Sequence, residues 1–335
     1  MESHSLGGGQ KMKRYLVTGG SGFIGSTLVK SLLKSGHSVR VFDNNSRGNL
    51  RRLESVINEI EFVEGDIRNF TEFEGACEGI DSICHLAYVN GTKFFYENPD
   101  LVLDVGVKGM INVIDAALKY NIKELVLASS SEVYQTPAII PTPEDVSLII
   151  PDPMNPRFSY GGGKLISELL VINYAKHFDR VLIFRPHNVY GPDMGWEHVI
   201  PQFIIRLAEA IKETDSDVEE VNFPIQGSGQ ETRAFIFIDD FIEGLNCILD
   251  KGLHKNIYHI GTQDEITISN LVHEIGSLMG YKINIAPGTL QKGSTQRRCP
   301  DTHKLNNLGF MPKSSLSDGL KDTIKWYVNN LDLQP

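Results

Sequence analysis

The sequence predicts an α/β protein: a doubly wound parallel sheet followed by a smaller, discontinuous C-terminal lobe. Three observations carry this. Short apolar runs alternate with helical patterns through the first half of the chain, a glycine-rich turn follows the first run, and the alternation loosens after Arg185. Strands separated by helices of about 10–15 residues imply parallel βαβ units.

In order, 14–18 (RYLVT) reads as a strand. Residues 25–35 read as a helix, with Leu28, Val29, Leu32 and Leu33 on one stripe. Further strands are expected at 38–42, 60–63, 81–86, 124–128 and 180–184, with helices at 101–120 and 164–177. Beyond Arg185 come a helix at 200–212 and strand-like runs at 234–238 and 256–260, each followed by a helical stretch. The expected organisation is a leader at 1–11, a cofactor domain at 12–185 with segments near 234–260 returning to it, and a lobe of 186–233 and 262–330.

Composition narrows the function. The chain has 335 residues, 41% hydrophobic and 22% charged, which are ordinary globular values. A formal net charge of −10 argues against nucleic-acid or anionic-membrane surfaces, which need basic stripes. Cys77, Cys84, Cys247 and Cys299 lie far apart with no metal-ligand spacing, so no metal is expected, and reduced thiols in a cytoplasmic protein are. No run approaches a membrane span, and the leader MESHSLGGGQK lacks the apolar core of a signal peptide.

Thr18-Gly19-Gly20-Ser21-Gly22-Phe23-Ile24-Gly25 joins the first strand to the first helix. Glycines there let the backbone turn sharply and approach a pyrophosphate, which the free N–H groups of the helix start then bind. Asp43 ends the second strand. A carboxylate there accepts both adenine-ribose hydroxyls and repels a 2′-phosphate, which favours NAD. The arrangement is Rossmann-like.

Tyr160 and Lys164 share a face if a helix runs through them. A nearby ammonium favours tyrosinate, so the phenol would take a proton from a sugar hydroxyl as hydride leaves the same carbon. The intervening Gly161-Gly162-Gly163 suggests that the backbone passes close to something, the cofactor being the expected neighbour. Ser129-Ser130-Ser131-Glu132-Val133-Tyr134 ends the fifth strand, where side chains face the ligand crevice.

Together these pieces resemble the extended short-chain dehydrogenases of the nucleotide-sugar epimerase/dehydratase family. The resemblance covers about residues 12–330. It rests on TGGSGFIG, Asp43, Gly65-Asp66, His85-Leu86-Ala87, SSSEVY, Tyr160/Lys164, RPHNVYGP, QETRAFIFIDD, YHIG and RRCPD. It implies NAD held by Gly19, Gly22, Phe23, Ile24, Gly25 and Asp43, by Asp66 and Ile67 at adenine, and by Leu86, Ala87, Tyr88, Tyr160 and Lys164. It implies catalysis by Tyr160, Lys164, Ser130 and Glu132, and a nucleotide-diphosphate sugar bound by Ser131, Asn188, Arg233 and Arg298. It also implies a homodimer formed through helices within 101–120 and 160–177. Three positions depart from the family pattern: Gly163 replaces a small hydroxyl residue or alanine, Gly106 an asparagine, and Gln135 a glycine.

The resemblance implies oxidation at sugar C4 to a transient 4-ketone, followed by dehydration or decarboxylation at C5 or re-reduction at C4. The 4,6-dehydratases carry Asp-Glu before VY. Here Ser131-Glu132 stand there, which resembles the nucleotide-uronic-acid decarboxylases, and a related Glu-only arrangement occurs in dehydratases of 5,6 type. Glu132 is either a base at C5 or a group that orients substrate. A simple 4-epimerase, a dehydrogenase of small carbonyl compounds and a catalytically silent NAD(P)-binding sensor are the alternatives. His187 and 196–198 are expected beside the sugar pocket or as bystanders.

Overall fold

A computed structural model describes residues 12–213, 220–289 and 295–334; the expected leader at 1–11 lies outside the described residues. These residues form strands β1 (Arg14–Thr18), β2 (Ser38–Asp43), β3 (Glu61–Glu64), β4 (Ser82–His85), β5 (Glu124–Ala128), β6 (Arg180–Pro186) and β7 (Val189–Tyr190). Then follow β8 (Glu220–Pro224), β9 (Thr232–Ala234), β10 (Ile236–Phe237), β11 (Asn256–Ile260), β12 (Glu265–Thr267), β13 (Lys282–Ala286) and β14 (Arg297–Arg298).

Seven strands make one parallel sheet in the order β11-β6-β5-β4-β1-β2-β3. Sequence order reverses between β1 and β4, which opens a crevice at the C-terminal ends of those strands. The strands are apolar on both faces because helices cover both. Leu16 and Leu125 pack with Val113, Ala117 and Val171 of helices Gly109–Lys119 and Ser159–Tyr174. Val17 and Val126 pack on the other side, with Leu28 and Leu32 of Phe23–Lys34 and with Phe241 and Leu245 of Ile238–Lys251.

The expected strands are present, with ends shifted by a residue or two. Two helices differ from expectation. The predicted 101–120 helix is interrupted by a π turn, Asp104–Lys108, between Pro99–Leu103 and Gly109–Lys119. The predicted 164–177 helix starts at Ser159 and ends at Tyr174, so all three glycines lie inside it. Asn155 caps the short turn before it by accepting the Arg157 N–H at 3.0 Å. The run predicted as a strand at 234–238 splits into β9 and β10, and a helix begins at Ile238.

β11 returns to the sheet edge beside β6, and Leu305 and Phe310 pack into the same core as Val17. A third core joins Ile200, Phe203 and Ile204 to Leu271, Ile275 and Leu320. There β9 pairs with β12 on one side and with β14 on the other, which sets Arg233 directly beside Arg298. Cys77, Cys84 and Cys299 are buried, Cys247 is half-buried, and none is in a disulfide. Among the described residues no helix is long and apolar enough to cross a membrane, and no cluster of metal-ligating side chains occurs.

Candidate active site

The glycine turn is built as a cradle. Gly19 has φ +71°, and a Cβ there would lie 2.7 Å from the Ala87 nitrogen. A Cβ on Gly25 would strike the Gly19 carbonyl. Both positions therefore exclude side chains, and the start of helix Phe23–Lys34 stays open to an anion. Asp43 is buried and fixed by two backbone donors: Ser21 N–H to Oδ2 at 3.0 Å and Asn45 N–H to Oδ1 at 2.9 Å. Each carboxylate oxygen keeps further acceptor capacity for a ribose hydroxyl.

Gly19, Gly22, Asp43, Asp66, Ile67, Leu86, Ala87 and Tyr88 line one continuous groove. Asp66 is held by Arg68 (2.7 Å), which together with a weaker bond from Asn44 keeps its carboxyl below the usual range against the opposing effect of burial. Thr18 Oγ1 accepts from the N–H groups of Leu86 and Ala87, both at 3.2 Å, and so places the segment after β4. The cradle fits a dinucleotide.

The groove opens into a cleft of about 430 Å³ that holds Phe23, Ile24, Gly25, Ser130, Ser131, Glu132, Tyr160, Lys164, Asn188 and Arg298. Tyr160 lies stacked on Phe95 (ring centroids 5.0 Å apart) and edge-on to Tyr88 (5.1 Å). Burial pushes its phenol up to about 12, opposed by a hydrogen bond with Ser130. Lys164 is buried and donates to the Ala128 carbonyl at 2.7 Å. Burial lowers its ammonium to about 7, with Glu168 opposing. The expected lowering of the phenol by Lys164 is thus not seen. The ammonium turns to the Ala128 carbonyl and to the Tyr88 ring, and burial governs both groups.

Ser130 caps the short turn Ser131–Tyr134 by accepting the Glu132 N–H at 3.1 Å, and it faces Tyr160. Glu132 Oε1 accepts from Arg298 Nη1 at 2.6 Å. Burial raises its pKa, but Arg298, Arg157 and Arg233 outweigh that and hold it below the usual range. Arg233 itself is lowered to about 10 by burial and by Arg298. Among the described residues Arg233 hydrogen-bonds carbonyl oxygens, those of Thr232 and Thr295 at 2.7 Å and that of Gln296 at 3.4 Å, so no bonded carboxylate there neutralises its charge. Asn188, at φ +42°, donates to the Ala234 carbonyl at 2.9 Å and ties β7 to β9.

The glycines between Tyr160 and Lys164 are not among the residues lining the groove or the cleft, and what they pass close to is protein. The space beside Gly161 holds the Glu132 carbonyl oxygen (2.9 Å) and the Gln135 amide, and that beside Gly163 holds the Tyr88 hydroxyl. Gln135 has φ +55°, which is why this position suits glycine; its side chain offsets the strain by donating to the Glu132 carbonyl at 2.6 Å. His187 does not line the cleft. It packs behind it on His259 (4.6 Å) and stays neutral through burial. Gly195, Glu197 and His198 do line the cleft.

Sequence reasoning missed three features. Arg157 lines the cleft with its buried Nε lacking a partner among the described residues. Its only signal was its place three residues before Tyr160. Arg47 lines both groove and cleft. Behind the site Glu168 accepts from Arg185 at 2.6 and 2.8 Å and from Ser129, forming a buried network that joins helix Ser159–Tyr174 to β5 and β6.

Residues 15–261 match the model of the NAD dependent epimerase/dehydratase family. The chain belongs to this family. NAD is its cofactor, and its enzyme class is the nucleotide-sugar epimerase/dehydratase type with the subclass open. The UDP-N-acetyl-alpha-D-glucosaminuronate decarboxylase of Bacillus cytotoxicus is 32% identical over 94% of this chain and 98% of its own length. UDP-glucuronic acid decarboxylase 1 of Danio rerio is 31% identical over 96% of this chain and 74% of its own. The fold matches the dTDP-glucose 4,6-dehydratase of Streptomyces venezuelae, solved with NAD bound, at TM-score 0.83 and 28% identity over 96% and 98% of the two chains. This epimerase/dehydratase chain therefore has the expected doubly wound sheet and cofactor.

Proposed function

We propose that the protein decarboxylates a uronic acid carried on a nucleoside diphosphate, by way of a 4-ketone. The observation that carries this reading is Glu132, locked to Arg298 inside a cluster with Arg157 and Arg233. NAD, when bound, supplies a hydride acceptor and donor for C4 and a positive charge beside the phenol. Tyr160 takes the 4-hydroxyl proton, and Ser130 orients that hydroxyl. Lys164, in reach of the same pocket, supports the phenolate electrostatically.

With C4 a ketone, the C6 carboxylate is β to a carbonyl. The C5–C6 bond breaks, carbon dioxide leaves, and the electron pair passes into the C4 oxygen. In this reading Tyr160 and Ser130 stabilise that oxygen. C5 then takes a proton from water. No base is needed to open C5, which suits a site whose carboxylate is held ionised by an arginine. A 4,6-dehydration needs an acid for the leaving hydroxyl, and Ser131 stands where that acid would be. The arginine cluster suits a substrate with a carboxylate beside its diphosphate. Relatives at 32% and 31% identity named as decarboxylases support the same reading.

Ser130, Tyr160 and Lys164 also suffice for simple 4-epimerisation. Incubation with paired neutral and uronic nucleotide-sugars, read by mass spectrometry, separates the two. We also propose a homodimer. Ile111 and Leu118 on one helix and Ile166 and Leu169 on the next are 36–55% exposed, apolar and adjacent in the fold. Four cysteines outside any disulfide support a reducing compartment.

A further inference from the structure

Tyr88 is anomalous. Its hydroxyl is buried and has no hydrogen-bond partner among the described residues. Burial raises its pKa well above the ordinary phenol, so it is neutral. A buried hydroxyl without a partner is unfavourable, so something else must hold the residue in place.

The hydroxyl occupies a slot between two helical segments. One wall is Gly106 in the π turn Asp104–Lys108, the other Gly163 in helix Ser159–Tyr174. A Cβ on either glycine would land on the Tyr88 hydroxyl. On Gly106 it would also meet the ring, at 2.6 Å from Cε2, whereas on Gly163 it would stay 3.5 Å from Cζ. Neither glycine has a positive φ, so the backbone does not demand glycine at either place. The tyrosine does. Ser167 fastens the two walls by donating to the carbonyls of Gly106 (3.2 Å) and Gly163 (2.9 Å). Two of the three departures from the family pattern thus have one cause, the bulk of Tyr88.

The anchored ring has a use. Its centroid lies 3.9 Å from Lys164 Nζ, and the ring makes a T-shaped contact with Tyr160. An ammonium over an aromatic face is attracted by the ring quadrupole, more strongly when water is excluded. Among the described residues the one hydrogen bond Lys164 makes is to the Ala128 carbonyl. We propose that Tyr88 is a positioning residue: its hydroxyl, wedged between Gly106 and Gly163, fixes a ring whose face holds the Lys164 ammonium beside Tyr160. This rests on the proposed roles of Tyr160 and Lys164.

Four variants of the NAD-loaded enzyme test it. In Tyr88→Leu the apolar bulk stays and the ring face is lost, so the ammonium is less favoured. NMR titration of the isotopically labelled Lys164 side chain should then show its proton lost about one pH unit lower, and turnover should fall roughly tenfold. Tyr88→Phe keeps the ring face but removes the hydroxyl that anchors it, so its titration should fall between those of Tyr88→Leu and wild type. Gly163→Ala should melt at lower temperature and turn over more slowly, and Tyr88→Phe/Gly163→Ala should recover both, because only the hydroxyl clashes. An unmoved Lys164 titration in Tyr88→Leu overturns the positioning role. A Gly163→Ala defect that Tyr88→Phe does not relieve, or no defect at all, overturns the slot. Lys164→Met is the control. Full turnover in that variant contradicts the proposed chemistry itself, while a dead Lys164→Met with an unmoved titration in Tyr88→Leu contradicts only the present inference.

Discussion

At the residue scale the proposed chemistry rests on Tyr160, Lys164 and Ser130, with Glu132 held by Arg298 in the same cleft. Tyr160→Phe keeps the packing on Phe95 and removes the proton acceptor, so turnover should fall at least 10²-fold; near-normal steady-state rates would contradict the assignment. Lys164 gives a stability test. Its pKa is lowered from 10.5 to about 7 in the folded protein, so between those values the unfolded chain binds more protons. The lysine's burial penalty is therefore fully present below about pH 7 and relieved as pH rises toward 10.5. Lys164→Met should melt above wild type near pH 6, and that gain should shrink by pH 10. A gain independent of pH would show that the lysine is charged in neither condition or in both.

The same residues show what was legible in the sequence. Tyr160 and Lys164 were legible from their spacing, and Ser130 and Arg298 from the family resemblance; the four converge on one cleft. Arg157 and the pairing of Glu132 with Arg298 were not readable. The pairing depends on segments 166 residues apart in sequence meeting across the cleft. The glycines at 106 and 163 looked like local departures because their explanation lies in a third segment, after β4.

At the scale of elements, the seven strands of the main sheet were legible to within a residue or two, because continuous apolar runs bounded by turns fix them. The helix through Tyr160 was placed too late because three glycines lower its propensity. Packing against the Glu132 carbonyl and Tyr88 overrides that. This helix is tied to β6 by the buried Glu168–Arg185 pair and to β5 through Ser129. Glu168→Ala leaves a buried guanidinium without a counter-charge and should cost about 3–5 kcal/mol. Chemical denaturation checks this; a loss below about 1 kcal/mol would show that the pair does not anchor the helix.

At the scale of the molecule, the alternating pattern made the doubly wound sheet legible, whereas the pairing of β9 with β14 was not, since two-residue strands carry no periodic signal. The exposed apolar stripe on the helices Gly109–Lys119 and Ser159–Tyr174 sets an expectation for assembly. Wild type should sediment as a dimer, and Ile111→Glu/Leu169→Lys as a folded monomer. A wild-type monomer at micromolar concentration would contradict the proposed interface.

The central claim is the fate of the 4-ketone. The most direct measurement is incubation of the purified enzyme with UDP-glucuronate and UDP-N-acetylglucosaminuronate in heavy water, followed by mass spectrometry and NMR of the nucleotide-sugar. The expected result is a product that has lost carbon dioxide and carries a single deuterium at C5, with no net reduction of NAD. A product of unchanged mass inverted at C4, or one that has lost water, would contradict it.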